Sequence, residues 1–225
     1  MNKLNKILVL AMFSVASLAT NVFADSSNFE GPYLAVQASV AGVEIDGSHE
    51  DTTMTSETKT TGRAGMIGTF GSVQLGYNIA AGAEGFITIG GTHTPTGDAS
   101  FAAKGVAASK KVDLVLSDIN EVFIEPSVMV TSNSAVFVHV GYSEAELSAK
   151  GDDITDKTLD MDGMTVAAGL KVVTDAGVFI KVEAGMTEYD TIKLDGITDA
   201  DDGTTATAQG DPTVAFGTVS LGVKF

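Results

Sequence analysis

Cysteine and tryptophan are absent from the 225 residues, and proline occurs only four times. Without cysteine there can be no disulfide, no thiolate metal site and no cysteine nucleophile. No Pro- or Ser-rich linker and no low-complexity tract interrupts the chain, which therefore reads as one domain. Basic residues are also scarce, with 13 Lys and Arg against 29 Asp and Glu. That excess of acid argues against a nucleic-acid partner or an anionic lipid surface. Finally, no apolar run after Ala24 is long enough for a transmembrane helix, so entry into a membrane would require strands.

The N-terminus carries Lys3 and Lys6, an apolar run from Ile7 to Ala19, and Val22-Phe23-Ala24 as a small-x-small cleavage site. This is the pattern of a secretory signal peptide over residues 1–24, leaving a domain of residues 25–225. The leader holds two lysines and no acid, so 13 basic residues fall to 11 against 29 acidic ones, a formal charge of −18. A domain of this size can bury enough surface without disulfide staples.

Period-2 alternation fills the chain after the leader, in eight runs at 32–44, 69–79, 85–93, 117–130, 135–147, 164–173, 178–189 and 213–225. The connections alternate in length. Those at 45–68, 94–116, 148–163 and 190–212 are long, and those at 80–84, 131–134 and 174–177 are short. An antiparallel up-and-down sheet places every other connection at the same end. Long loops at one end and tight turns at the other describe an all-β, eight-stranded transmembrane β-barrel with both termini on the short-turn side.

The polarity of the faces separates a membrane barrel from a soluble one. Val219, Leu221, Val223 and Phe225 share one face of the last run, and Thr218, Ser220, Gly222 and Lys224 the other. The split recurs in Leu34/Val36/Ala38/Val40 against Ala35/Gln37/Ser39, and in Val178/Ile180/Val182/Ala184 against Phe179/Lys181/Glu183/Gly185. The apolar faces carry no central charge, as hydrocarbon requires, so the ions must line a polar interior. A soluble periplasmic carrier would need the opposite polarity. Phe225 is expected at the periplasmic interface, with Tyr33 and Tyr77 at comparable depth.

On the leader, the near-start GPYLAVQAS, the eight runs and the terminal Phe225, the chain resembles the small outer-membrane β-barrels of Gram-negative bacteria, of the OmpA transmembrane-domain and opacity-protein type. The resemblance implies a bacterial outer-membrane location, contact with lipid and lipopolysaccharide, and assembly by the barrel-assembly machinery. It also implies that Val219, Leu221, Val223 and Phe225 form the signal that this machinery reads. Nothing follows Phe225, so no periplasmic wall-binding domain is expected.

Parity points Tyr33, Phe86, Phe137 and Phe179 inward near the periplasmic turns, where four rings would plug a barrel whose interior is only wide enough for side chains. Above them a salt-bridged network of Glu125, His139, Lys171, Lys181 and Glu183 is expected, with Glu125 and His139 as diagonal neighbours across the 131–134 turn. Pro126 lacks a ladder donor and predicts a local bulge facing lipid. The loops hold Asp152, Asp153, Asp156, Asp160, Asp162, Asp195, Asp199, Asp201 and Asp202. Of these, Asp199, Asp201 and Asp202 are weak divalent-cation candidates without the ligand pattern of an EF-hand. No cofactor is expected. No convincing catalytic triad can be drawn from His49, His93 and His139, and His93 with Ser100 and Asp98 is the least bad set, so the chain reads as a non-enzyme. The expected role is structural or surface-interactive, in adhesion or recognition, exerted by a monomer through its acidic loops towards an extracellular ligand. A small porin or hydrophobic-solute channel is the alternative.

Overall fold

A computed structural model describes residues 26–52, 57–95, 100–102, 112–151, 154–198 and 205–225. The leader expected at 1–24 and the cation candidates Asp199, Asp201 and Asp202 lie outside the described residues. Among the described residues, one 3₁₀ turn, Ser26–Asn28, is followed by ten strands. They are β1 (Gly31–Thr52), β2 (Glu57–Ala80), β3 (Gly85–Thr94), β4 (Ser100–Ala102), β5 (Val112–Thr131), β6 (Ser134–Gly151), β7 (Ile154–Val173), β8 (Val178–Tyr189), β9 (Ile192–Thr198) and β10 (Thr205–Lys224).

Eight of them pair antiparallel in the order β1-β2-β3-β5-β6-β7-β8-β10, and β10 closes on β1 from Tyr33↔Lys224 to Thr52↔Thr205. The short β4 pairs with β5 and β9 with β10, at the ends away from the tight turns. Neither short strand follows from alternation in the sequence. The start of β1, the carboxyl-terminal end of β10 and the three short turns share one end, where Phe225 N–H donates to Pro32 O (2.9 Å). Gly31, at φ +117°, lets the chain enter β1 beside that carboxyl terminus, since a Cβ there would lie 2.7 Å from Phe225 O.

The long connections are largely strand, which corrects the reading of 45–68, 148–163 and 190–212 as loops. β1 and β2 have 22 and 24 residues, whereas roughly 9–11 suffice to cross a bilayer. About half of this hairpin therefore stands beyond the membrane. Its outer part is rich in Thr, Gly and Asp and is wetted on both sides, so its pairing leaves no apolar period to read.

Side chains alternate between lipid and lumen along most of the ring, with Val138 and Val166 buried on the outward parity of β6 and β7. Leu34, Val36, Val40, Val73, Leu75, Ile89, Ile124, Leu170, Ile180, Val182, Val219 and Leu221 are exposed, while Gln37, Ser39, Gln74, Thr88, Thr165, Lys171 and Lys181 are buried. This inversion of the usual soluble pattern is what a hydrocarbon surround demands. Tyr77 and Phe225 lie outside at the short-turn end, and Tyr33, at the depth of Tyr77 in the β1–β2 register, turns its ring into the lumen as its parity predicts, 3% exposed.

Pro126 produces no bulge. The β5–β6 register is the same at Ile124↔Val140 and Ser127↔Phe137, and Pro126 sits opposite Ile87 of β3. The cost of the missing donor is confined to an interruption of the β5–β6 ladder at 125–126. The β5–β6 register shifts instead beside the tight turn, between Met129 and Thr131, and in a bulge between Ser117 and Asn120, where Asp118 adopts φ +49° and Asn120 Nδ2 donates to Asp118 O (3.0 Å). One extra residue there reverses parity, turning Leu116 into the lumen although Glu121 and Phe123 on the other side of the bulge also point inward.

Candidate functional site

The lumen is filled in layers, each built from inward positions of several strands. At the short-turn end Tyr33, Phe86, Phe179, Ala35, Met129, Ala135 and Val173 form one apolar cluster together with Phe29. The rings of Tyr33 and Phe179 meet edge-on at 5.3 Å, and Phe29 stacks on Phe86 at 4.8 Å. Phe29 lies before the first alternating run and carries no periodic signal, so pattern reading could not find it. It is held by the 3₁₀ turn crossing the barrel mouth. Ser26 Oγ donates to Gly82 O (2.7 Å), Asn28 Nδ2 to Ser132 O (3.1 Å), and Asn78 Nδ2 to Phe29 O (2.7 Å).

Five lumen rings each lie over a glycine at the facing register position: Tyr33 over Gly76, Phe123 over Gly90, Phe137 over Gly169, Phe179 over Gly222 and Tyr189 over Gly163. A Cβ on Gly169 would stand 2.6 Å from Phe137 Cζ and 2.2 Å from Val182 O. The absent side chains are what allow large rings to lie flat inside so narrow a barrel.

Above the rings sits a buried ionic cluster. Lys171 Nζ is 4.9 Å from the centre of the Tyr33 ring, 5.5 Å from Phe86 and 5.6 Å from Phe179, and 3.7 Å from Glu125 Oε2. An ammonium facing three aromatic rings is held by their quadrupoles where no water reaches it. Lys181 Nζ pairs closely with Glu125 Oε1, lies 3.0 Å from Glu183 Oε2, and donates to Gln74 Oε1 (3.4 Å). Its methylene stem leaves the charge 4.9 Å from the Phe137 ring. The five residues expected to form a network, Glu125, His139, Lys171, Lys181 and Glu183, are thus brought together.

His139 lies between two carboxylates, with Nδ1 2.9 Å from Glu125 Oε1 and Nε2 2.9 Å from Glu121 Oε1. Phe123 stacks on its ring at 4.7 Å. Glu125 and His139 are opposite each other rather than diagonal: a register shift between Met129 and Thr131 sets the pairing sum at 264 on both sides of them (Ile124↔Val140 and Ser127↔Phe137), two fewer than the spacing suggested. Glu121 and Phe123 were missed, although both share the parity of Glu125 in the 117–130 run.

Over the cluster lies a cavity of about 70 Å³. Its floor is Glu121, His139 and Glu183, its polar wall includes Gln37, Ser72 and Thr218, and its apolar wall includes Phe70, Leu116 and Phe216. Hydroxyl pairs tie the wall strands together, as in Ser39 with Thr218 (2.8 Å) and Thr165 with Thr187 (2.9 Å). A second apolar layer of Ala41, Val43, Leu116, Ala145, Leu147, Met161, Tyr189 and Val214 lies above it, lines its upper part and leaves it partly open. The inward alternation in the outer halves of the strands is therefore apolar, a layer not expected from the sequence.

Outside the lumen, His93 Nδ1 is 2.8 Å from Asn120 Oδ1. Asp98 and the side chain of Ser100 lie outside the described residues. Arg63 of β2 is bonded to Asp46 through Nε (2.6 Å) and lies 3.5 Å from Glu44, and its ionisation is pushed further up by the Asp46 carboxylate.

The model of the outer membrane protein beta-barrel domain family matches residues 7–225. No curated protein sequence matches the chain. Among solved structures, Ail, the attachment invasion locus protein of Yersinia pestis, is similar at 10% identity, over 83% of this chain and 99% of that one, with a TM-score of 0.37. Neisserial surface protein A is similar at 15% identity, over 85% and 97%, with a TM-score of 0.37. The outer membrane protease OmpT of Escherichia coli is similar at 8% identity, over 92% and 100%, with a TM-score of 0.47.

Proposed function

This chain belongs to the outer-membrane-protein β-barrel family, and from that premise we propose that it is a closed, non-conducting and non-enzymatic barrel of the bacterial outer membrane that acts through its extracellular face. The observation that carries this reading is the packing of the lumen. Phe29, Phe86 and Phe137 are each 1% exposed, and Lys171 and Lys181 above them no more so. An ion crossing this barrel would have to part stacked rings and then break buried ion pairs, each of which is costly to open in a low dielectric. What remains to interact with the surroundings is the acidic extension built from β1, β2, β9 and β10 and the outer parts of β5 to β7.

Within this proposal the barrel acts as a monomer in structural support, adhesion or recognition towards an extracellular ligand, and its outer carboxylates meet lipopolysaccharide through divalent cations. Val219, Leu221, Val223 and Phe225, all on the lipid face of the C-terminal strand, are proposed as the segment that the barrel-assembly machinery recognises. Conductance tests the reading. The refolded chain in a planar bilayer is expected to stay silent, and the Phe86→Ala, Phe137→Ala, Phe179→Ala triple variant to conduct. Steady current through the parent would replace this reading with that of a small porin or solute channel.

A further inference from the structure

The ionic layer contains three carboxylates, Glu121, Glu125 and Glu183, against the two ammonium groups of Lys171 and Lys181. A sixth charge is needed to balance it. Within the barrel that charge is the proton which makes His139 an imidazolium. A carboxylate can only accept, so both ring nitrogens must donate to hold Glu121 and Glu125 at 2.9 Å on either side. The groups facing this ring are Glu121, Glu125 and Phe123 from β5, Glu183 and Lys181 from β8, and Lys171 from β7.

The sixth charge need not be a proton. The cavity over His139 is floored by Glu121 and Glu183, and Glu183 is 7% exposed. Its Oε2 lies 3.0 Å from Lys181 Nζ and 3.9 Å from His139 Nδ1 but accepts a well-directed hydrogen bond from neither, which leaves it acceptor capacity beside the cavity. Hydroxyls of Ser72, Ser143, Thr187 and Thr218 offer further acceptors around it, and the rings of Phe70 and Phe216 line the upper wall. Buried acceptors below and aromatic faces above suit a compact cation carrying N–H donors and a methyl group. About 70 Å³ is room for a few waters or for a cation of about two or three heavy atoms.

We propose that the cavity above His139 is a binding site for a small primary ammonium ion, which enters in exchange for the imidazolium proton. On binding, Glu183 and Glu121 accept from the ammonium, His139 passes its proton to solvent, and the neutral ring donates to Glu125 alone. The layer remains at six balanced charges. The site does not depend on whether the barrel conducts.

Methylammonium chloride titrated into the refolded full-length barrel in detergent micelles tests this, by calorimetry in buffers of different ionisation enthalpy. Saturable binding is expected, tightening about tenfold per pH unit through the titration of His139 while the imidazolium predominates, with close to one proton released per ion bound. Tetramethylammonium, which has no N–H donor, is expected not to compete. Glu183→Gln should weaken binding at least tenfold, and His139→Gln should abolish its pH dependence, with folding of each variant checked by heat-modifiable migration on gels. If the variants do not fold, the pH series and proton count of the parent decide alone. Absence of saturable binding across the pH range, binding without proton release, or equal competition by potassium would each overturn the proposal.

Discussion

Lys181 of β8 and Glu125 of β5 form an ion pair across the lumen, and neither side chain has any exposed surface. Residues separated by 56 positions in the chain thus meet where no water can compensate the loss of either charge. Removing one partner of such a pair leaves the other buried and uncompensated.

Lys181→Met is therefore expected to destabilise the barrel by about 3–5 kcal/mol, and Glu125→Gln by a similar amount. The double variant should cost clearly less than the sum, because each substitution removes the charge that the other strands. Urea unfolding in detergent micelles measures all three, and strict additivity would show that the two groups do not depend on each other.

Phe29 tests the layer at the barrel mouth. Its ring is 1% exposed and stacks on Phe86, so Phe29→Ala is expected to cost about 3 kcal/mol, near the lower end for a buried phenylalanine. Ser26→Ala, which removes only the bond to Gly82 O, should cost about 1 kcal/mol. Equal effects in equilibrium unfolding would mean that the ring contributes nothing beyond the turn that carries it.

Gly169→Ala tests the rule that lumen rings lie over glycines. The new methyl would collide with the Phe137 ring and with Val182 O, and overpacking of this kind costs about 1–3 kcal/mol. Gly217→Ala on the lipid face of β10, where a Cβ meets nothing within 4 Å, serves as the control and should be within about 0.5 kcal/mol of the parent. A Gly169→Ala barrel as stable as that control would remove the steric account.

The outward polarity is open to the same treatment. Leu221→Arg places a charge in the apolar band of β10 and is expected to destabilise by about 2–4 kcal/mol. Lys193→Glu, at an exposed position of β9 outside the ring, should change stability by less than about 0.5 kcal/mol. Unfolding from lipid vesicles is the measurement, and a Leu221→Arg cost no larger than that of Lys193→Glu would contradict a lipid-facing β10.

Alternation alone determined much of this molecule. Parity is a local property, so which side chains face lipid, which rings turn inward and which end carries the tight turns could all be read from Val219/Leu221/Val223, from Phe137 and Phe179, and from the spacing of the runs. Who meets whom inside the barrel is not local. It depends on register, and a shift of two in the pairing sum decides whether Glu125 sits opposite His139 or beside it. It depends on the bulge at Asp118, which reverses the parity of Leu116, and on ring closure, which brings Lys181 of β8 to Glu125 of β5. Phe29 becomes part of the core only because a turn of three residues finds its anchors on the β2–β3 and β5–β6 connections. The outer extensions were hidden for a different reason: strands wetted on both faces are held by backbone pairing and by carboxylate–guanidinium contacts such as Asp46 with Arg63, and these leave no hydrophobic period in the sequence.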